Sequence, residues 1–105
     1  MLCARTTVVL TVTATLCETL SELDRHAEAG SLIRETRSRL LKSLGEEHPY
    51  ALRAARILGQ VLLKQGEAED AAKVLRSTHA TQLRLFGAEH AETQLTATAV
   101  ERLLL

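Results

Sequence analysis

The stretch Leu44-Gly45-Glu46-Glu47-His48-Pro49 returns as Phe86-Gly87-Ala88-Glu89-His90-Ala91. Gly45 and Gly87, Glu47 and Glu89, and His48 and His90 each stand 42 positions apart. The same offset relates Leu16 to Leu58, Leu20 to Leu62, Ala29 to Ala71, Arg34 to Arg76, Thr36 to Thr78 and Leu41 to Leu83. It continues through Ala55 and Ala97, Leu62 and Leu104, and Leu63 and Leu105. So many coincidences at one ungapped offset mark an internal repeat. Repeats of this size are stacked supersecondary units, none of which can bury its apolar face alone.

Chain breakers divide each repeat. Pro49 is the only proline, and proline is accepted in the first turn of a helix but not inside one. Gly45 therefore reads as a helix stop and Pro49 as a helix start. Gly66 and Gly87 end the next two apolar-periodic runs. Helices are expected at about 5–23, 26–44, 49–65, 67–86 and 91–104. Leu52, Ala55, Leu58 and Leu62 recur along one helical face, and Ala71, Val74, Leu75 and Thr78 do so in the next helix. Only residues 8–12 alternate enough to leave room for a strand. The fold class expected is all-α, five helices in antiparallel pairs joined by short connections.

Composition narrows the function. Aromatic residues make up 2% of the chain and Trp is absent, which weakens a β-sandwich core or a base-stacking surface. Thirteen Lys and Arg balance thirteen Asp and Glu, so the basic excess of a nucleic-acid binder is missing. Cys3 and Cys17 form no CxxC pair and read as free thiols in a reducing, cytoplasmic setting. Residues 1–17 hold one Arg, no acid and an apolar run, the outline of a targeting segment. Three threonines interrupt that run and it merges into the repeat, so it reads as the first helix. No stretch is long and apolar enough to span a membrane.

These residues resemble a known family, the tetratricopeptide repeats. The frame Ala55-x₂-Leu58-Gly59-x₂-Leu62, followed by Gly66 and Ala71-x₃-Leu75, is similar to that family's pattern, with Ala and Leu in place of its aromatics. Gly59 and Ala71 fall where paired helices approach closely, and Leu58, Leu62 and Leu75 fill the space between. The 42-residue period and the Leu-Gly-Glu-Glu-His-Pro junction resemble a long-helix subclass seen in kinesin light chains. Where that junction usually carries Thr the first copy has Ala51; the second has Ala91 for Pro and keeps Thr93. The N-terminal pair is a weaker copy, with Cys17 at the small position and Asp24 at the turn glycine. The resemblance implies a single array over residues 1–105, an α-α superhelix with repeats at 5–44 and 47–86 and an incomplete third at 89–105.

Two constellations suggest chemistry. The Glu47-His48 and Glu89-His90 pairs contain metal-ligating types. They occupy equivalent places in successive repeats, so stacking holds them roughly 10 Å apart, too far to share an ion. They read as repeat junctions, with acids at helix starts complementing the helix dipole. Cys17 with His26 is a loose nucleophile–base candidate, but in the repeat frame Cys17 is a small core residue. The five glycines are scattered, so there is no phosphate loop. No catalytic residue, metal or cofactor is assigned, and the chain reads as a non-enzyme.

The resemblance implies a concave groove lined by the first helix of each pair, holding a peptide or helix of a partner protein. The groove positions are Thr11, Ala14, Glu18, Ser21 and Glu22 in the first helix and Arg53, Arg56, Gln60, Leu63 and Lys64 in the third. In the last they are Leu95, Thr98, Arg102 and Leu105. The family often has backbone-gripping asparagines where this chain has Arg56 and Ile57. Arg53, Arg56, Gln60, Lys64 and Arg102 are the expected contacts, and their charge suits an acidic segment. The chain stops in Leu103-Leu104-Leu105, inside an unpaired helix. An uncapped apolar end predicts a fragment of a longer array or a dimer joined through the last helix. The expected function is a protein-interaction scaffold. The alternative is the regulatory helical part of a larger signalling ATPase or enzyme, with no chemistry of its own.

Overall fold

The computed structural model describes the backbone of residues 2–103 and the side chains of residues 8–103. The Cys3 side chain and the groove and repeat positions at Leu104 and Leu105 lie outside the described residues. Five helices follow one another: α1 (Leu2–Glu22), α2 (His26–Leu44), α3 (Pro49–Lys64), α4 (Ala68–Phe86) and α5 (Ala91–Leu103). No strand occurs among the described residues, and residues 8–12 lie inside α1. The threonines that follow keep their hydroxyls within the helix: Thr13 Oγ1 donates to the Val9 carbonyl at 2.7 Å and Thr15 Oγ1 to the Thr11 carbonyl at 3.3 Å. Their β-branches therefore do not force an extended backbone.

The 42-residue offset is reproduced in the boundaries themselves. α2 and α4 start and stop 42 residues apart, as do the starts of α3 and α5 and the ends of α1 and α3. Local chemistry fixes each boundary. After α3, Gly66 takes φ 81° and the Glu67 amide donates to the Leu62 carbonyl at 2.9 Å. After α1, Asp24 takes φ 64° and the Arg25 amide donates to the Leu20 carbonyl at 3.0 Å. Aspartate is among the few residues with a side chain that tolerate this left-handed region, so it can stand where the second pair has glycine.

α1 packs on α2 and α3 on α4 as antiparallel pairs. α2 also packs on α3, and α4 on α5; α3 touches α1 and α5 directly. One layer thus contains α1, α3 and α5, the other α2 and α4. The shortest dimension of the molecule, 19 Å, is that of two helices laid side by side.

The core runs between the layers. Ile33, Leu40, Ile57, Leu58, Val61, Leu62 and Leu75 are buried in it, with Ala29 and Ala71 as small spacers. A Cβ added to Gly59 would run into the Leu75 side chain, which is why the closest crossing of α3 and α4 needs glycine there. In the first pair Cys17 occupies that position and is fully buried. Thr36 and Thr78 are buried at equivalent sites and return their hydroxyls to the Leu32 and Val74 carbonyls at 2.8 and 2.7 Å, so neither leaves a polar atom unsatisfied in the core.

Candidate protein-binding groove

The face shared by α1, α3 and α5 holds a cleft of about 500 Å³. Glu18, Ser21 and Glu22 line it from α1, residues between Arg56 and Lys64 from α3, and Leu95 and Arg102 from α5. Every expected groove contact among the described residues belongs to these helices, but they are not equally available.

Arg56 is only 2% exposed. Its Nη1 donates to Glu18 Oε2 on α1 at 3.0 Å and to Gln60 Oε1 at 3.0 Å. Its Nε donates to Glu92 Oε1 on α5 at 3.1 Å. A guanidinium this deep is tolerable only with its charge matched and its donors used. One side chain therefore ties three helices of the layer together, and two carboxylates more than match its charge inside the protein. Arg53 is half-buried and donates through Nη2 to Thr15 Oγ1 at 3.1 Å, again bridging α3 to α1.

The remaining contacts face outward. Lys64 is exposed, and its Nζ reaches only the Ser21 carbonyl at 3.4 Å. Arg102 is exposed on the opposite wall, with no ion-pair partner among the described residues. Gln60 is half-buried beside Arg56, while Leu63 and Leu95 supply apolar surface to the cleft. Sequence reading placed Glu18 in the groove but missed Glu92. Its repeat equivalents are Val8 and Tyr50, so the offset carries no signal for an acid there.

The two Glu-His pairs are helix caps. His48 Nδ1 accepts from the Tyr50 amide at 3.1 Å, and His90 Nδ1 accepts from the Glu92 amide at 3.2 Å. Each imidazole satisfies a donor that the first turn of α3 or α5 would otherwise leave open. The acids do different work: Glu47 pairs with Arg84, linking the first junction to α4. Among the described residues no three His, Cys, Asp or Glu side chains come together as metal ligands would.

Cys17 is fully buried, and desolvation pushes its thiol up to about 11, away from the thiolate a nucleophile needs. His26 turns to Ser21 Oγ at 3.5 Å and to Asp24 at 3.4 Å. No described helix is long and apolar enough to cross a membrane.

No curated protein matches the chain. A model of the tetratricopeptide repeat, a unit that generally mediates protein–protein interaction and is typically non-catalytic, matches residues 9–84. That span runs from α1 through most of α4 and covers well over half of the chain. With helix pairs that recur every 42 residues, this chain belongs to the tetratricopeptide repeat family.

Proposed function

We propose that the cleft across α1, α3 and α5 holds an acidic, partly apolar segment of a partner protein. The observation that carries this reading is where the charges stand along its walls. Arg56 takes both Glu18 and Glu92 as partners, and the exposed Lys64 and Arg102 share the cleft with one further carboxylate, Glu22. Three cations and three carboxylates cancel over the whole site, but its exposed part holds two cations to one acid, and exposed charges set partner choice and encounter rate more than raw affinity. Leu63 and Leu95 offer apolar surface for a side chain between acidic groups. In this reading Lys64, Arg102 and Gln60 touch the partner, Arg56 holds the floor in shape, and Arg53 supports the α1 side.

The whole chain acts as one array of the long-helix, kinesin-light-chain-like kind. The 42-residue recurrence and the His-capped junctions support that placement.

The test is capture of peptides from acidic, neutral and basic pools on the immobilised chain. Lys64→Glu combined with Arg102→Glu reverses both free charges at exposed positions. It should cut capture of acidic peptides at least about tenfold, the worth of roughly 1.4 kcal/mol, while helicity stays intact. Equal capture by the double variant refutes the groove assignment. Arg56 is unsuited to this test, because a carboxylate there would join two others in a buried site.

A further inference from the structure

One repeat position changes charge as it crosses the cleft. Glu18 on α1, Gln60 on α3 and Arg102 on α5 stand 42 residues apart, and all three line it. The series runs from acid through amide to cation. The other charged groups of the lining keep this order. α1 adds Glu22, α3 adds Arg56 and Lys64, and α5 adds no acid. The α1 wall is therefore acidic and the α3–α5 side basic, with Leu63 and Leu95 as apolar surface on the basic side.

The exposed charges do not cancel one another inside the protein. Glu22 and Lys64 are repeat equivalents on neighbouring helices and both are exposed, yet no ion pair joins them. Lys64 turns its Nζ to the Ser21 carbonyl at 3.4 Å instead. Glu22 has no ion-pair or hydrogen-bond partner for its carboxylate among the described residues. Glu18 stands one helical turn from it and gives Oε2 to Arg56, with 32% of its side chain still exposed. Arg56 is taken up by Glu18 and Glu92, so it does not answer Glu22. The cleft thus keeps a negative end at Glu22 and a positive end at Lys64 and Arg102.

We propose, building on the partner-site reading of this cleft, that the segment it holds is charge-polarised. A lysine or arginine of the partner lies against Glu22, its acidic residues lie against Lys64 and Arg102, and apolar side chains cover Leu63 and Leu95. Axes of packed neighbouring helices are about 10 Å apart, so α1 and α5 stand roughly 20 Å apart on either side of α3. An extended chain advances about 3.3 Å per residue, so about six residues span the walls. A segment acidic throughout sets a carboxylate against Glu22, and a reversed segment sets both of its ends against like charge. Like charges brought together across an interface reject the wrong partner. The cleft therefore selects the order of charges along the partner as well as their sum.

Fluorescence anisotropy of the full chain with labelled synthetic peptides decides the matter. The reference peptide is Lys-Ser-Leu-Leu-Glu-Glu between neutral flanks with blocked ends, made in both chain directions. One companion has Gln for the Lys, another has Glu for the Lys, and a third has Gln for both Glu. In its better direction the reference should bind wild type about fivefold more tightly than the companion with Gln for Lys, the upper end of what one exposed ion pair provides. Glu22→Gln should lose that preference with unchanged circular dichroism, and Glu22→Lys should prefer the companion with Glu. Glu18 is left intact, since Arg56 depends on it. A wild type that needs the peptide's acids but treats Lys and Gln alike, or a preference for Lys that persists in Glu22→Gln, overturns the polarity and leaves the partner site standing. Binding that ignores the acids and survives Lys64→Glu with Arg102→Glu, or no binding of any peptide, refutes the partner site and the polarity with it.

Discussion

Where α2 runs into α3, Leu40, Ala51 and Ala54 are buried; where α4 runs into α5, the equivalent positions hold Gln82, Thr93 and Thr96, buried as deeply. Helix starts and stops are the same in both places to the residue. The chemistry is not. Gln82 has no hydrogen-bond partner for either amide atom, and Thr93 Oγ1 has none. Thr96 escapes by donating to the Glu92 carbonyl at 3.0 Å. The comparison separates two questions that a repeat invites one to merge. The path of the chain follows side-chain size and the breakers between helices, which both junctions share. The strength of the junction follows polarity, and each buried polar atom left unmatched costs about 1–3 kcal/mol. The α4–α5 junction is therefore the weaker one, although Arg56 reaches across to Glu92 and holds α5 from the groove side.

Moving the second junction's residue into the first gives the largest expected effect. Leu40→Gln buries an unmatched amide in an apolar site and should cost about 3–5 kcal/mol. A chemical denaturation curve would read this as a lower midpoint with an unchanged slope. An unchanged midpoint would mean that polarity does not distinguish the junctions. The reverse exchange is smaller: Gln82→Leu should stabilise by about 1–2 kcal/mol, since it removes two unmatched atoms at similar volume. Hydrogen exchange should slow most in α5, and uniform slowing along the chain would contradict a local weakness. Smallest is the contrast between the caps. His48→Ala and His90→Ala each remove one side-chain acceptor, worth about 1 kcal/mol. The loss at His48 should lower global stability, because α3 lies at the centre of the fold. The loss at His90 should show mainly as faster exchange in the first turn of α5.

How much of this was legible in the sequence depends on the range of the cause. Gly45, Gly66, Gly87 and Pro49 act on their own backbone, so helix ends could be read within a residue or two over α2 to α5. Asp24 could be matched to Gly66 by offset alone. Gly59 could be placed at a close crossing because the repeat frame supplied its neighbour, Leu75. Arg56 behaves differently. Its partners Glu18 and Glu92 lie 38 and 36 positions away, off the period, and they turn an expected contact into a buried tie. The apolar run of α1 was visible, but whether a face is covered depends on which helices stand beside it. The polar second junction was open to inspection, since Gln82 stands where the first repeat has Leu40.

A partner held on the α1–α3–α5 face, with Lys64 and Arg102 as free contacts, leaves its footprint on the amides beneath it. Amide chemical-shift mapping with an acidic peptide taken from the capture pools tests it most directly. The largest shifts should fall at Gln60, Leu63, Lys64, Leu95 and Arg102, with α2 and α4 nearly silent. Shifts concentrated on α2 and α4 would contradict it.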